Sequence, residues 1–137
     1  MKQREPSKLE MQVLSVLWER GAVTVRRLLD AMPDGKKRAY TTILSVLQVM
    51  EKKGFVSHTQ EGNAHVYAAR VSREKVTTPL LRSLVRDVFG GSPAAALQHL
   101  LEGHRVSRGE LDEVKRLIAD YERDGGTETG ARRKKNP

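Results

Sequence analysis

The sequence predicts a mainly α protein, in which a small domain of three helices and a β-hairpin is followed by an all-helical region. Three observations predict it. Apolar residues recur at helical spacing in six separate segments. One pair of short β-like runs surrounds a turn between the third and fourth of these segments. Positive charge is concentrated in the first half of the chain: residues 1–70 carry 12 basic and 7 acidic side chains, residues 71–124 carry 9 of each, and residues 125–137 carry 4 and 1.

The first helix is expected to begin at Ser7, because Ser7 and Glu10 have the S-x-x-E spacing of a capping box. Leu9, Val13, Leu14, Leu17 and Trp18 continue it on one apolar side, and Gly21 ends it. Thr24 is the expected N-cap of a second helix with an inner stripe of Val25, Leu28, Leu29 and Met32, stopped by Pro33-Asp34-Gly35. A third helix is predicted over 40–53, with Ile43, Val46, Leu47 and Met50 turned inward. Lys52-Lys53-Gly54 closes it with cations near the carbonyl end and a glycine suited to a left-handed turn. Runs 55–60 and 64–69 around Glu61-Gly62-Asn63 read as a hairpin.

A fourth helix is expected over 72–89, with Val76, Leu80, Leu81, Leu84 and Val88 as its stripe. Pro79 should kink it or move its start later than Ser72. Gly90-Gly91 breaks the chain, and Ser92-Pro93 reads as an N-cap with proline at the first helical position of a short, apolar fifth helix. Ser107 and Glu110 suggest a second capping box, with Val106 and Leu111 as a hydrophobic staple. Val114, Leu117, Ile118 and Tyr121 carry the sixth helix. The last residues, GGTETGARRKKNP, are too polar to bury anything and are expected to form a disordered basic tail over 124–137. RRKK there is read as a frayed, solubilising terminus rather than as a phosphate contact.

Composition narrows the function. A chain of 137 residues is one ordinary domain or two small ones, and a net charge of +8 puts polyanions first among partners. No apolar run approaches the ~18 residues a membrane span needs, and MKQREPSK lacks the apolar stretch of a secretory signal. A cytoplasmic protein with no membrane insertion is therefore expected. The absence of cysteine excludes disulfides, thiol nucleophiles and thiolate metal sites, and 4% aromatic residues are too few for a platform that stacks single strands. No Ser/His/Asp set, glycine-rich phosphate loop or clustered carboxylate pair is present, so no enzyme, cofactor or metal is expected.

Three helices followed by a hairpin, on a basic half-chain, is the order of a winged helix-turn-helix, whose third helix enters the major groove of double-stranded DNA. Once its core stripe is assigned, the third helix retains Thr41, Thr42, Ser45 and Gln48, side chains short enough to meet base edges or phosphates at close approach. Lys36, Lys37 and Arg38 precede it where phosphates would flank the groove. Lys52 and Asn63, at the helix end and in the hairpin turn, complete the polar candidates. A sequence-tolerant, nucleoid-type architectural protein is the alternative, but it would need Lys and Arg along the face that here carries Thr, Thr, Ser and Gln. A pure protein-interaction module would leave the basic half unexplained.

Residues 72–123 are too few for a secure core of their own. Pairing their apolar stripes with a second copy would bury them and give a twofold homodimer suited to a palindromic site. The candidates for that interface are Leu80, Leu84 and Val88; Leu97, Leu100 and Leu101; and Leu111, Val114, Leu117, Ile118 and Tyr121.

The histidines have plainer readings. His58 and His65 would face each other across the hairpin if the turn is Glu61-Gly62, but two ligands make no closed zinc site, and wing residues near phosphate are the expectation. His99 and Glu102 share a helix face, where a solvated surface is expected rather than a metal or pH-sensitive site. Trp18 reads as core, and Glu51 and Glu61 as solvated.

The segments LEMQVLSVLW (9–18), TVR (24–26), AYTTILSVLQ (39–48) and EKKGFV (51–56) resemble the penicillinase and methicillin-resistance repressor family of bacteria. The resemblance continues through 64–67, Gly90-Gly91 and 107–118. It implies a dimeric winged-helix repressor of an antibiotic-resistance or related operon, bound to inverted repeats built on TACA and TGTA. Thr41, Thr42 and Ser45 would occupy base-reading positions, with Tyr40 at the entrance to the recognition helix. In the best-known members a membrane sensor triggers proteolysis at an Asn-Phe bond in the fifth helix. Here that place reads His99-Leu100, which departs from the bond such a sensor protease partner requires. Val49 stands where many relatives carry Arg. The domains expected are 7–70 for DNA, 71–123 for dimerisation and 124–137 as tail.

Overall fold

A computed structural model describes residues 5–125, so the tail beyond Gly125, RRKK included, lies outside the described residues. The element order is α1 (Lys8–Arg20), β1 (Val23–Thr24), α2 (Val25–Asp30), α3 (Tyr40–Lys53), β2 (Val56–Glu61), β3 (Ala64–Ala69), α4 (Arg73–Val88), α5 (Pro93–Gly103) and α6 (Arg108–Arg123). Three helices, a small sheet and a hairpin wing make the first part a winged helix-turn-helix, and everything after the wing is helical.

The capping box at α1 forms in both directions: Glu10 N–H donates to Ser7 Oγ at 3.1 Å, and Ser7 N–H donates to Glu10 Oε1 at 2.9 Å. Thr24 caps α2 through the Arg27 amide. Gly54 ends α3 with φ 87°, a left-handed conformation that a side chain would strain. The expected inner stripes meet in one core, in which Leu14, Leu28, Ile43, Leu47 and Met50 are fully buried beneath Phe55, Val56 and Tyr67. Truncating one of these leucines to alanine would cost about 2–5 kcal/mol.

The sheet has three strands in the order β1-β3-β2, all antiparallel. β1 has no counterpart among the elements the sequence predicts. It is two residues long and exists because Val23 and Thr24 pair with Tyr67 and Val66, a tertiary match that leaves no periodic trace. The hairpin turns at Gly62-Asn63 rather than Glu61-Gly62, since Glu61 pairs with Ala64, Gln60 with His65 and His58 with Tyr67. His58 and His65 are therefore diagonal neighbours, with ring centroids 4.7 Å apart, and do not sit directly opposite each other.

α4 corrects a second expectation. It starts at Arg73 and runs through Pro79 without interruption, so the proline does not delay its start. Ser72 caps its first turn through the Lys75 amide, and Thr77 Oγ1 donates to the Arg73 carbonyl. The proline deprives the Lys75 carbonyl of an amide partner. Lys75 lies on an exposed turn, where water can replace that bond. The compact unit that contains the winged helix extends to Leu84.

A second compact unit begins at Val85. Gly90 and Gly91, both at positive φ, turn the chain after α4, and Gly91 N–H donates back to the Val85 carbonyl at 2.8 Å. Ser92 caps α5 through Ala95 N–H, with Pro93 at the first helical position. Ser107 caps α6 through Glu110 N–H. Among the described residues the return bond, from Ser107 N–H to the Glu110 carboxylate, is not made, so this cap is half of the expected box. No helix among the described residues is long and apolar enough to cross a membrane.

Candidate nucleic-acid interface

The candidate surface is the outer side of α3. Ile43, Leu47 and Met50 turn inward on every third or fourth residue, which leaves Thr41, Thr42, Ser45, Gln48 and Lys52 exposed on the other side. Val49, also exposed, puts an apolar patch among them. This face is polar, short-chained and almost uncharged along its length, with a cation only at its C-terminal end. No side chain caps the start of α3, because the N-cap residue is Ala39.

The loop into α3 is built around Asp34. Its carboxylate accepts the Lys36 amide at 3.0 Å and a two-pronged bond from Arg38, Nη1 to Oδ1 at 3.1 Å and Nη2 to Oδ2 at 2.6 Å. The Arg38 bond first, and the Lys36 amide next, hold the Asp34 carboxyl at about 2, below its usual range. Lys36 and Lys37 are exposed, whereas Arg38 is half-buried with its charge already met. Tyr40, at the helix entrance, lies under the Arg26 guanidinium of α2, 5.4 Å from the ring centre. Sequence reasoning does not single out Arg26, because nothing local pairs it with a ring 14 residues on.

At the other end, Gln48, Glu51 and Lys52 of α3 join His58, His65 and Tyr67 of the wing around an open cleft of about 530 Å³. The Glu51 carboxylate meets His58 Nδ1 at 2.8 Å, so Glu51 is not the freely solvated residue expected, and it ties the wing to the helix. The Tyr67 ring lies against His58, and burial foremost, with Glu51 nearby, pushes its phenol pKa up. Asn63 sits exposed in the hairpin turn, away from this cleft. The arrangement offers short donors and acceptors along a helix, lysines before and after it, and a wing braced beside it.

Of the residues expected in a dimer interface, Leu84, Val88, Leu100, Leu101, Leu117, Ile118 and Tyr121 are exposed, Val88 and Leu117 by 64% and 58%. Leu80, Leu97, Leu111 and Val114 are half-buried. Leu81, 60% exposed, belongs with the first group. The His99 ring lies tilted near Phe89, centroids 5.5 Å apart, and Glu102 accepts from Gln98 Nε2.

Comparison with known proteins decides the family. Residues 6–120 match the penicillinase repressor family. The chain belongs to that family. A transcriptional regulator BlaI of Mycobacterium tuberculosis is 35% identical over 120 residues, 86% of each chain. The penicillinase repressor of Bacillus licheniformis is 20% identical over 115 residues, 84% of this chain and 90% of that one. The solved DNA-binding domain of the repressor BlaI aligns with a TM-score of 0.47 at 24% identity, over 53% of this chain and 88% of that domain. Penicillinase repressors are transcriptional regulators and not enzymes.

Proposed function

We propose that the chain is a homodimeric, sequence-specific repressor, working in the cytoplasm, that binds an inverted repeat of the TACA/TGTA type and controls a β-lactam-resistance or related operon. Residues 7–70 read the DNA and residues 71–123 dimerise. The observation that carries this reading is the chemistry of α3: Thr41, Thr42, Ser45 and Gln48 are exposed together on a helix whose other side is core. Such side chains can hydrogen-bond base edges, and the Thr methyl groups fit thymine methyls, whereas a purely electrostatic binder would need Lys and Arg along this face.

In this reading Lys36, Lys37 and Lys52 hold the phosphates on either side of the groove, and the wing from His58 to Asn63 follows the flanking backbone. Arg38 serves the loop through Asp34, and Tyr40 braces the helix entrance with Arg26. The exposed leucines of α4, α5 and α6 supply the dimer surface, since that much apolar area open to water favours association. Relatives named penicillinase repressor and methicillin resistance regulatory protein MecI support the kind of operon.

Binding of the intact chain to a TACA/TGTA palindrome and to a scrambled duplex, across a range of salt, tests the proposal. The palindrome should bind about 10³-fold tighter or more, within the range of specific regulators. Equal affinities with a steep salt slope would replace it with an architectural protein that reads only phosphates.

A further inference from the structure

We propose that the cleft between α3 and the wing is a proton-linked phosphate site, in which His58 donates from Nε2 to a DNA phosphate only as the imidazolium. The inference rests on the DNA-binding reading above and deepens it by one contact. The Glu51 carboxylate lies 2.8 Å from His58 Nδ1. A carboxylate only accepts, so Nδ1 carries the proton of that bond in both the neutral and the charged ring. Nε2 is then the nitrogen that gains or loses a proton. His58 is exposed, and among the described residues no protein group bonds to its Nε2. In the neutral ring Nε2 presents a lone pair, which repels a phosphate oxygen. In the imidazolium it presents an N–H, which makes a charge-assisted bond to one.

The charges around the ring balance without that proton. From α3 the cleft receives Lys52 and Glu51, which cancel, and from β3 it receives His65 and Tyr67. Burial first, then Glu51 and Tyr40, push the Tyr67 phenol up, so Tyr67 stays neutral. His65 is half-buried, with its ring centroid 4.7 Å from that of His58. Two imidazoliums at that distance repel each other, so a single added charge is the state the pair favours. One proton therefore turns a neutral cleft into a cationic one beside Lys52, and every group involved belongs to the same compact unit. Imidazole ordinarily changes charge between pH 5 and 8. A phosphate at Nε2 favours the charged ring, so DNA affinity is greatest at the acid end of that window and falls as the pH rises through it.

The test measures binding of the full chain to the TACA/TGTA palindrome and to a scrambled duplex between about pH 5.5 and pH 8.5, at several salt concentrations. A phosphate contact carries no sequence information, so both duplexes should respond alike. Wild-type affinity should fall about tenfold or more from pH 6 to pH 8, and the salt slope should be about one unit steeper per protomer at pH 6. His58→Gln cannot take up the proton and should show a flat profile. His58→Lys carries a fixed cation and should be flat as well, with tighter binding than wild type at pH 8. The exposed position leaves the core intact in both variants, which an unchanged far-ultraviolet spectrum checks. His65→Gln should retain the pH dependence. A dependence that persists in His58→Gln, or that His65→Gln abolishes, overturns the inference. A wild type that binds both duplexes with no pH dependence also overturns it and leaves the DNA-binding reading standing. A wild type that binds neither duplex at any pH overturns that reading and this inference with it.

Discussion

Arg38 and Asp34 are joined by two near-parallel hydrogen bonds, 3.1 and 2.6 Å, inside the loop that delivers the chain to α3. The geometry separates the three adjacent cations. Lys36 and Lys37 are open to solvent, and Arg38 is committed to the loop. Lys37→Ala should therefore lower the salt slope of DNA binding by about one unit, and Arg38→Ala by less. Asp34→Asn should raise affinity for any sequence by freeing a cation, measured as binding to a random duplex at several salt concentrations.

The same pair fixes an acid response. The folded-state pKa of Asp34 is depressed, from 3.8 to about 2. Its contribution to stability is therefore fully present above about pH 4 and is lost as the pH falls through 2. In acid titrations followed by circular dichroism, Asp34→Asn should differ from wild type at neutral pH and converge with it towards pH 2. A constant difference across that window would show that the ion pair contributes nothing to stability.

Glu10 carries two duties. Its carboxylate completes the cap of α1, and it also accepts Lys53 Nζ at 2.9 and 3.1 Å from the end of α3, while being only 6% exposed. Lys53→Met should destabilise the protein by about 1–3 kcal/mol, because it removes a cation from a buried carboxylate. Lys52→Met, an exposed neighbour, should cost under about 0.5 kcal/mol. Urea unfolding of the two variants makes the comparison.

Much of this fold is legible in the sequence, and the reasons for the rest are physical. Capping residues, helical periods and terminal glycines are local signals, so α1, α3 and α5 lie where those signals put them. β1 is created by Tyr67 and Val66, far along the chain, and has no signal of its own. The hairpin turn lies one residue later than expected, which moves every cross-strand partner by two, because Glu61-Gly62-Asn63 allows two turns and alternation alone does not choose between them. In the interface, exposure of the α3 polar residues follows from periodicity. The partners of Arg38, Glu51 and Tyr40 do not, because each is chosen by how loops and strands come together in space.

Leu117 is 58% exposed in the single chain, so a charge there should leave the fold intact. If the apolar side of α6 is covered by a second copy, Leu117→Asp buries an unpaired carboxylate and should convert a micromolar dimer into a monomer. Its far-ultraviolet spectrum should not change. Sedimentation of wild type and variant decides this; a monomeric wild type at those concentrations would remove the dimer.

The most direct measurement compares wild type and Thr42→Ala on the TACA/TGTA palindrome and on a scrambled duplex at one salt concentration. Thr42 is exposed on the polar side of α3 and supports neither the core nor the loop before it. If that side reads bases, the variant loses about 1–3 kcal/mol on the palindrome and almost nothing on the scrambled duplex. Equal losses on both would mean that α3 holds DNA without reading it, and would contradict a sequence-specific repressor.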